Sequence, residues 1–325
     1  TSSAGTGYND QTVTGLAYGP LSSSRWGIKG KENLGGGYGA FFALESEVHN
    51  DTGAYGGNNK TGSGVGTVYW KRKSVLGMKT PAGKFTLGLN KTIDKILASK
   101  YDLVGSNFAG FKTMSDYVAI GDRIDNAIFY ESKKFDATGG KFYLERQFGE
   151  VAGENSGNTR TGIAKTFKLG DVQGFIAYSE ATGSTGDDDW DQKGFGLQYK
   201  TPQKIVLKAQ YWDLSAESNT DTTSGLGYSA DGEAYSVSVM GPISKHTKIG
   251  LGFHSSEQSD NEAEKIEMTQ LVMLHSFSKK VTGYAMAGNL DNGTAANHEL
   301  HKKGFSSQPA NGGDQDGFTV GLRIK

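Results

Sequence analysis

Apolar and polar residues alternate along most of this chain with a period of two. In SRWGIKGK, Trp26 and Ile28 alternate with Arg25. In YGAFFALESEV, Phe42 and Glu45 fall in opposite phases of the alternation. Successive side chains of a β-strand point to opposite faces, so this period predicts strands with one apolar and one charged face. The glycines of LGGG between the two stretches predict a tight turn.

The same unit recurs along the whole chain, with short turns at one end of the strands and long polar stretches at the other. Short turns are predicted at 34–37, 81–83, 136–140, 169–171, 201–204, 241–246 and 278–280. The intervening runs number about sixteen, and short turns opposite long loops are typical of outer-membrane barrels. We therefore predict an all-β fold, a 16-stranded antiparallel transmembrane β-barrel, as a single domain over 1–325. The strands of a soluble β-sandwich alternate in the same way, so this fold remains an alternative at this point.

Composition narrows the function. The 48 glycines with only 5 prolines fit turns and strands rather than collagen or disorder. The absence of cysteine excludes disulfides and thiol catalysis. A net charge of −1 without a basic block gives no reason to expect nucleic acid. A mean hydropathy of −0.50 disfavours a helical membrane span, whereas a barrel shows only half its side chains to lipid.

The sequence contains only weak motifs for metal binding or catalysis. The acidic stretch 186–192 lacks the spacing of a calcium-binding loop, and the histidines of 297–301 lack that of a zinc site. No serine stands in a nucleophile elbow. We expect no enzymatic activity, no cofactor and no metal.

Several stretches carry a resemblance to a known family. SRWGIKGKENLGGGYGAFFALES resembles the second and third strands of the general trimeric porins of Gram-negative outer membranes, and KRKSVLGMKTPAGKFTLGLN resembles their fourth and fifth. RIDNAIFYES, KKVTGYAMAGNL and GFTVGLRIK fit later strands. The resemblance implies a homotrimer among outer-membrane lipid and lipopolysaccharide, passive diffusion of ions and small hydrophilic solutes, and a third long loop folded into the barrel. The chain departs from the family at both ends, which we expect to be incomplete, and at Leu89, where the family often carries an arginine.

Strand phase selects candidate pore residues. Arg25, Glu45 and Glu47 fall on the charged, inward face. The phase of YWKRKSVLGM turns Lys73 inward and Arg72 outward, so Lys73 is the first candidate there and Arg72 the second. The family places wall arginines at the positions of Arg25 and Arg123, and the phase of Arg123 is also inward.

The stretch 91–122 has no clear period, and long irregular segments in compact proteins are usually functional. By its position it is the expected constriction loop, with Asp102 and Asp116 among its acidic candidates. Its lysines and aspartates nearly balance, so the basic wall predicts a weak anion preference. A substrate-specific channel for an anionic nutrient and a soluble all-β ligand-binding module are the alternatives.

Overall fold

A computed structural model gives the structure of most of the chain. It describes residues 12–55, 57–58, 67–114, 118, 120, 123–135, 138–149, 159–182, 189–216, 231–258, 261–301 and 309–325. Among these residues, no helix is long and apolar enough to cross a membrane.

Antiparallel strands make up most of the described structure. They are β1 Arg25–Gly35, β2 Tyr38–Glu47, β3 Gly57–Asn58, β4 Thr67–Val68, β5 Lys73–Lys79, β6 Gly83–Lys91, β7 Arg123–Ile124, β8 Ala127–Ser132, β9 Phe142–Gln147, β10 Thr159–Leu169, β11 Val172–Thr182, β12 Trp190–Lys200, β13 Val206–Ala216, β14 Gly232–Pro242, β15 Thr247–Gln258, β16 Asn261–Ser276, β17 Val281–Asn292 and β18 Gln315–Ile324. The helical elements are α1, Ile93–Tyr101, and a 3₁₀ turn, Phe111–Met114.

The main sheet has sixteen strands including β7, and its strands pair in chain order, with β2 followed by β5 and β6 by β8. Its order is β1-β2-β5-β6-β8 and then β9 through β18 in sequence, with β7 paired to β6 beside this path. The short β3 and β4 form a separate two-stranded sheet. This up-and-down order confirms the predicted all-β barrel class, and the seven predicted short turns all fall between paired strands.

The turn at LGGG shows why glycine is needed at such reversals. Gly35, Gly36 and Gly37 have φ values of 79°, 58° and 84°. These angles lie in the left-handed region, which costs residues with a Cβ atom about 1–2 kcal/mol. The turn joins β1 to β2 in a register that sets Gly27 opposite Glu45.

One face of the sheet carries an apolar belt that is exposed on the outside. Its members alternate along each strand and include Trp26, Ile28, Leu76, Leu87, Ile176, Phe195, Leu197, Leu251 and Phe318. A soluble protein would bury such a continuous surface, whereas lipid covers it in a membrane barrel. The belt therefore opposes the soluble-module alternative.

The opposite face is the interior, and α1 packs against part of it. Leu97 and Tyr101 of the helix are buried with Phe175 and Trp212 of the wall. Gly194 lies opposite Trp212 in the register, and a Cβ atom there would stand 2.3 Å from the indole ring. The small residue thus makes room for the ring against which the helix docks. The loop that contains α1 is folded into the barrel, as predicted.

Candidate functional site

The predicted wall residues gather on the interior face of β1, β2 and β5. Arg25 pairs in register with Glu47, and Glu45 pairs with Lys73. The Arg25 guanidinium lies 3.6 Å from the Glu45 carboxylate and also donates to the Ser22 hydroxyl at 2.6 Å. Both ion-pair partners are about a third exposed, so solvent screens this contact.

Arg72 corrects the strand-phase prediction, which turned its side chain outward. It is buried on the interior side, with Nε donating to Glu45 at 2.8 Å and Nη1 donating to Glu47 at 3.1 Å. The reason is that β5 begins only at Lys73, so the two-residue period does not extend back to Arg72. An arginine fork between two carboxylates is a strong, oriented contact.

Arg123 completes this group from β7. Its Nε donates to the backbone carbonyl of Arg72 at 2.6 Å, and Lys91 lies opposite it in the register. The charges of Arg72 and Arg123 lie near those of both Arg25 and Lys73. Arg25, Arg72 and Lys73 lie beside the carboxylates of Glu45 and Glu47, and Arg123 adds a fourth cation to this group.

The first end of α1 is fixed to the far wall by a buried ionic network. Asp94 accepts from Arg160 Nη2 at 2.5 Å, from the Ser179 hydroxyl at 2.6 Å and from the Gln192 amide at 3.1 Å. Arg160 also donates to Glu145 at 2.9 Å. The other carboxylate oxygen of Glu145 accepts from the backbone N–H of Ile93 at 2.7 Å, which satisfies a free donor at the helix N-terminus.

The second end of α1 is fixed in a similar way. The Lys208 ammonium donates to the carbonyls of Lys100 at 3.0 Å and Asp102 at 2.6 Å, where the helix dipole favours a cation. The Gln210 amide donates to the Ala98 carbonyl at 3.2 Å. Both side chains come from β13, so a single strand holds this end of the helix.

Asp102 corrects a second prediction, because it does not face the lumen. Its side chain is fully buried, its Oδ1 accepts from the Leu103 N–H at 2.6 Å, and His254 Nε2 lies 3.8 Å away. A carboxylate enclosed by the wall cannot contact a passing solute. Asp116 lies outside the described residues.

Beyond the helix, the remainder of the loop is also hydrogen-bonded to the wall. The Gln270 amide donates to the Ser106 hydroxyl at 2.6 Å and to the Phe108 carbonyl at 2.5 Å. The Ala109 N–H donates to the Leu300 carbonyl at 2.7 Å. The loop therefore rests on strands from β9 to β16, and Asn107 also ties it to the segment before β1, with its amide donating to the Gly19 carbonyl at 2.7 Å and to the Ser23 hydroxyl at 3.2 Å.

These contacts decide which loop charges face the open lumen. The two described carboxylates of the loop beyond β6, Asp94 and Asp102, are both buried in the wall. The exposed side chains of α1 are Ile96 and Lys100. The described part of the loop thus presents an apolar and a cationic group rather than carboxylates.

Several residues of this site were not identified from the sequence. Arg160, Glu145, Lys208 and Gln270 all lie on interior positions of their strands, so the phase alone could have placed them inside. Nothing in the phase shows that the loop covers them.

Comparisons with known proteins agree with this architecture. The family model described as Gram-negative porin matches residues 1–295. Outer membrane porin protein 32 of Delftia acidovorans is 24% identical over 323 residues, which cover 95% of this chain and 86% of that protein.

Solved structures show the same fold. The anion-selective porin from Comamonas acidovorans superposes with a TM-score of 0.76 at 21% identity, covering 94% of this chain and 90% of that one. OmpT of Vibrio cholerae, in its trimer form, superposes with a TM-score of 0.67 at 17% identity, covering 98% and 94%. The family match extends over most of the sequence, and the chain belongs to the Gram-negative porins, channels of the outer membrane rather than enzymes.

Proposed function

We propose that this porin conducts ions and small hydrophilic solutes by passive diffusion with a weak preference for anions, and that it functions as a homotrimer. The observation that carries the anion preference is the burial of Asp94 and Asp102, while Arg25, Lys73 and Arg123 retain solvent access on the facing wall. Selectivity in a wide pore follows the sign and placement of the groups that the ions meet.

The electrostatic balance supports this proposal. The four wall cations and two wall carboxylates leave two positive charges in excess among the described residues. Lys100 adds a cation from the loop side. Fields from charges of one sign are focused in a cleft with low-dielectric walls, which raises the local concentration of counterions. One structural relative, the porin from Comamonas acidovorans, is anion-selective, which points the same way.

The homotrimer rests on different support. The apolar outer face of β1, β2, β5 and β6 includes Trp26, Phe42, Leu76 and Phe85. Such a face can pack against a second subunit as well as against lipid. OmpT of Vibrio cholerae was solved in a trimer form. Chemical cross-linking in detergent tests this proposal, with a three-chain product expected and a single-chain product opposing it.

Planar-bilayer recording in a salt gradient tests the selectivity. We expect a chloride-to-potassium permeability ratio above one that falls toward one in Arg25→Gln and in Arg123→Gln. Lys200→Gln, which removes a cation at the end of β12 next to a short turn, serves as the matched control and should leave the ratio unchanged. A cation-selective wild-type channel would overturn the anion preference, and saturation of conductance with chloride concentration would overturn simple diffusion.

A further inference from the structure

A second cationic cluster lies away from the constriction, at the short-turn end of β5, β6, β8 and β9. A cavity of about 460 Å³ opens there between the turn after β5 and the connection from β8 to β9. Its charged lining consists of Lys79, Lys84, Lys133, Lys134, Lys141 and Glu131. Five ammonium groups thus face one carboxylate among the described lining residues.

The strand register concentrates these charges in one row. Lys79 pairs with Lys84, Lys84 pairs with Glu131, and Glu131 pairs with Tyr143 across four neighbouring strands. Like charges directly opposite each other in a sheet are destabilising. The pair of Lys79 and Lys84 is therefore an arrangement that a bound anion would stabilise.

Glu131 neutralises only part of the cluster. It bridges Lys84 at 2.6 Å and Lys141 at 2.5 Å, which fixes both ammonium groups at the edge of the cavity. Toward the rest of the described chain, Lys79, Lys133 and Lys134 form no ion pair, and all three are exposed. Three ammonium groups thus remain available beside two that are held in place.

We propose that this cluster is a binding site for small multivalent anions of the phosphate type, at the mouth of the channel on the short-turn side. The volume lies in the range of pockets that hold small ligands. Lysine binds phosphate oxygens as a mobile point charge, and Coulomb attraction grows with the charge of the anion. The site therefore favours pyrophosphate over chloride, and it does so most strongly at low ionic strength.

The location gives the site a role that differs from that of the constriction. The short turns of outer-membrane barrels face the periplasm, so anions would bind at the periplasmic mouth. The proposal does not depend on the anion preference of the constriction, because it uses different side chains. A channel without selectivity in a salt gradient could still bind pyrophosphate here.

Isothermal titration calorimetry of the detergent-solubilised protein with pyrophosphate tests the proposal. We expect saturable binding at low salt, a Kd about tenfold higher in the triple variant Lys79→Gln, Lys133→Gln, Lys134→Gln, and a further loss at high salt. The double variant Lys200→Gln, Lys204→Gln removes cations at and beside the turn from β12 to β13, at the same end of the barrel, and its Kd should match the wild type.

Two results would overturn the proposal. One is the absence of saturable binding to the wild type at low salt. The other is an equal Kd in the wild type and the triple variant. Both proteins should also show the same chloride conductance in bilayers, which verifies that the variant is folded. The conductance measurement excludes misfolding as the cause of any loss of binding.

Discussion

At the scale of single residues, the wall of the constriction contains two kinds of arginine. Arg72 is 5% exposed and braces Glu45 and Glu47, whereas Arg25 is about a third exposed and forms a looser contact with Glu45. Burial therefore separates a side chain that holds the wall together from one that meets the solvent.

This difference predicts that substitution of Arg72 changes mainly the stability, whereas substitution of Arg25 changes mainly the anion preference. Arg72→Met leaves the buried Glu47 carboxylate without the Arg72 cation and should destabilise the protein by about 3–5 kcal/mol. Arg25→Met removes a screened contact and should cost less than about 1 kcal/mol while lowering the anion preference more. Denaturant unfolding in detergent and reversal potentials measure the two effects. Equal stability losses in both variants would contradict this division.

Asp94 offers a second prediction at this scale. Asp94→Asn weakens the contact with the buried Arg160. It should destabilise the docking of the loop against the wall by about 2–4 kcal/mol. A loosened loop should give noisier single-channel currents with larger open states. Asp191→Asn is the matched control, because the ion pair of Asp191 with Lys193 is exposed to solvent. Quiet, unchanged currents in Asp94→Asn would show that this network does not hold the loop.

At the scale of elements, the strands follow from the sequence and the docking of the loop does not. Alternation and glycine turns were sufficient to place the hairpin of β1 and β2, because each strand needs only its neighbour. Phe175, Trp212 and Leu214 are apolar residues on the interior face, where the period predicts polar ones. Their burial depends on α1, which comes from a distant part of the chain. Asp102 was misplaced for the same reason, since the wall that encloses it is not local in sequence.

The contact between the inner loop and His301, which lies between β17 and β18, leads to a prediction about pH. His301 forms an isolated bridge with Phe108, and burial lowers its pKa from the ordinary value despite the opposing charge of Glu299. An undocked His301 therefore binds protons more readily than the docked one, so docking should weaken as the pH falls below the ordinary histidine pKa of about 6.5. The stabilisation is fully present above that pH.

Amide hydrogen exchange at Ala109, whose N–H bonds to Leu300, measures this docking. We expect faster exchange at mildly acidic than at neutral pH, after correction for the intrinsic rate. The difference should shrink in His301→Gln. Protection that stays constant across this range in the wild type would exclude a proton-linked contact.

At the scale of the whole molecule, two faces meet two solvents, and the same substitution should have different costs on each. Leu197 lies in the exposed apolar belt of β12, and Gln198 is its interior neighbour. Leu197→Lys should destabilise the protein folded in lipid vesicles by about 2 kcal/mol or more, whereas Gln198→Lys should cost little. Equal costs would mean that the belt does not contact lipid.

The attachment of α1 to strands between β9 and β13 has a consequence for how such a channel can diverge. Substitutions under the loop, from β9 to β16, reach the passage only by moving the loop, and so adjust its width. Substitutions on β1, β2 and β5 change the charge that a solute meets, and the anchors of α1 lie on other strands. Width and sign can therefore be inherited and altered as two nearly independent traits within a single fold.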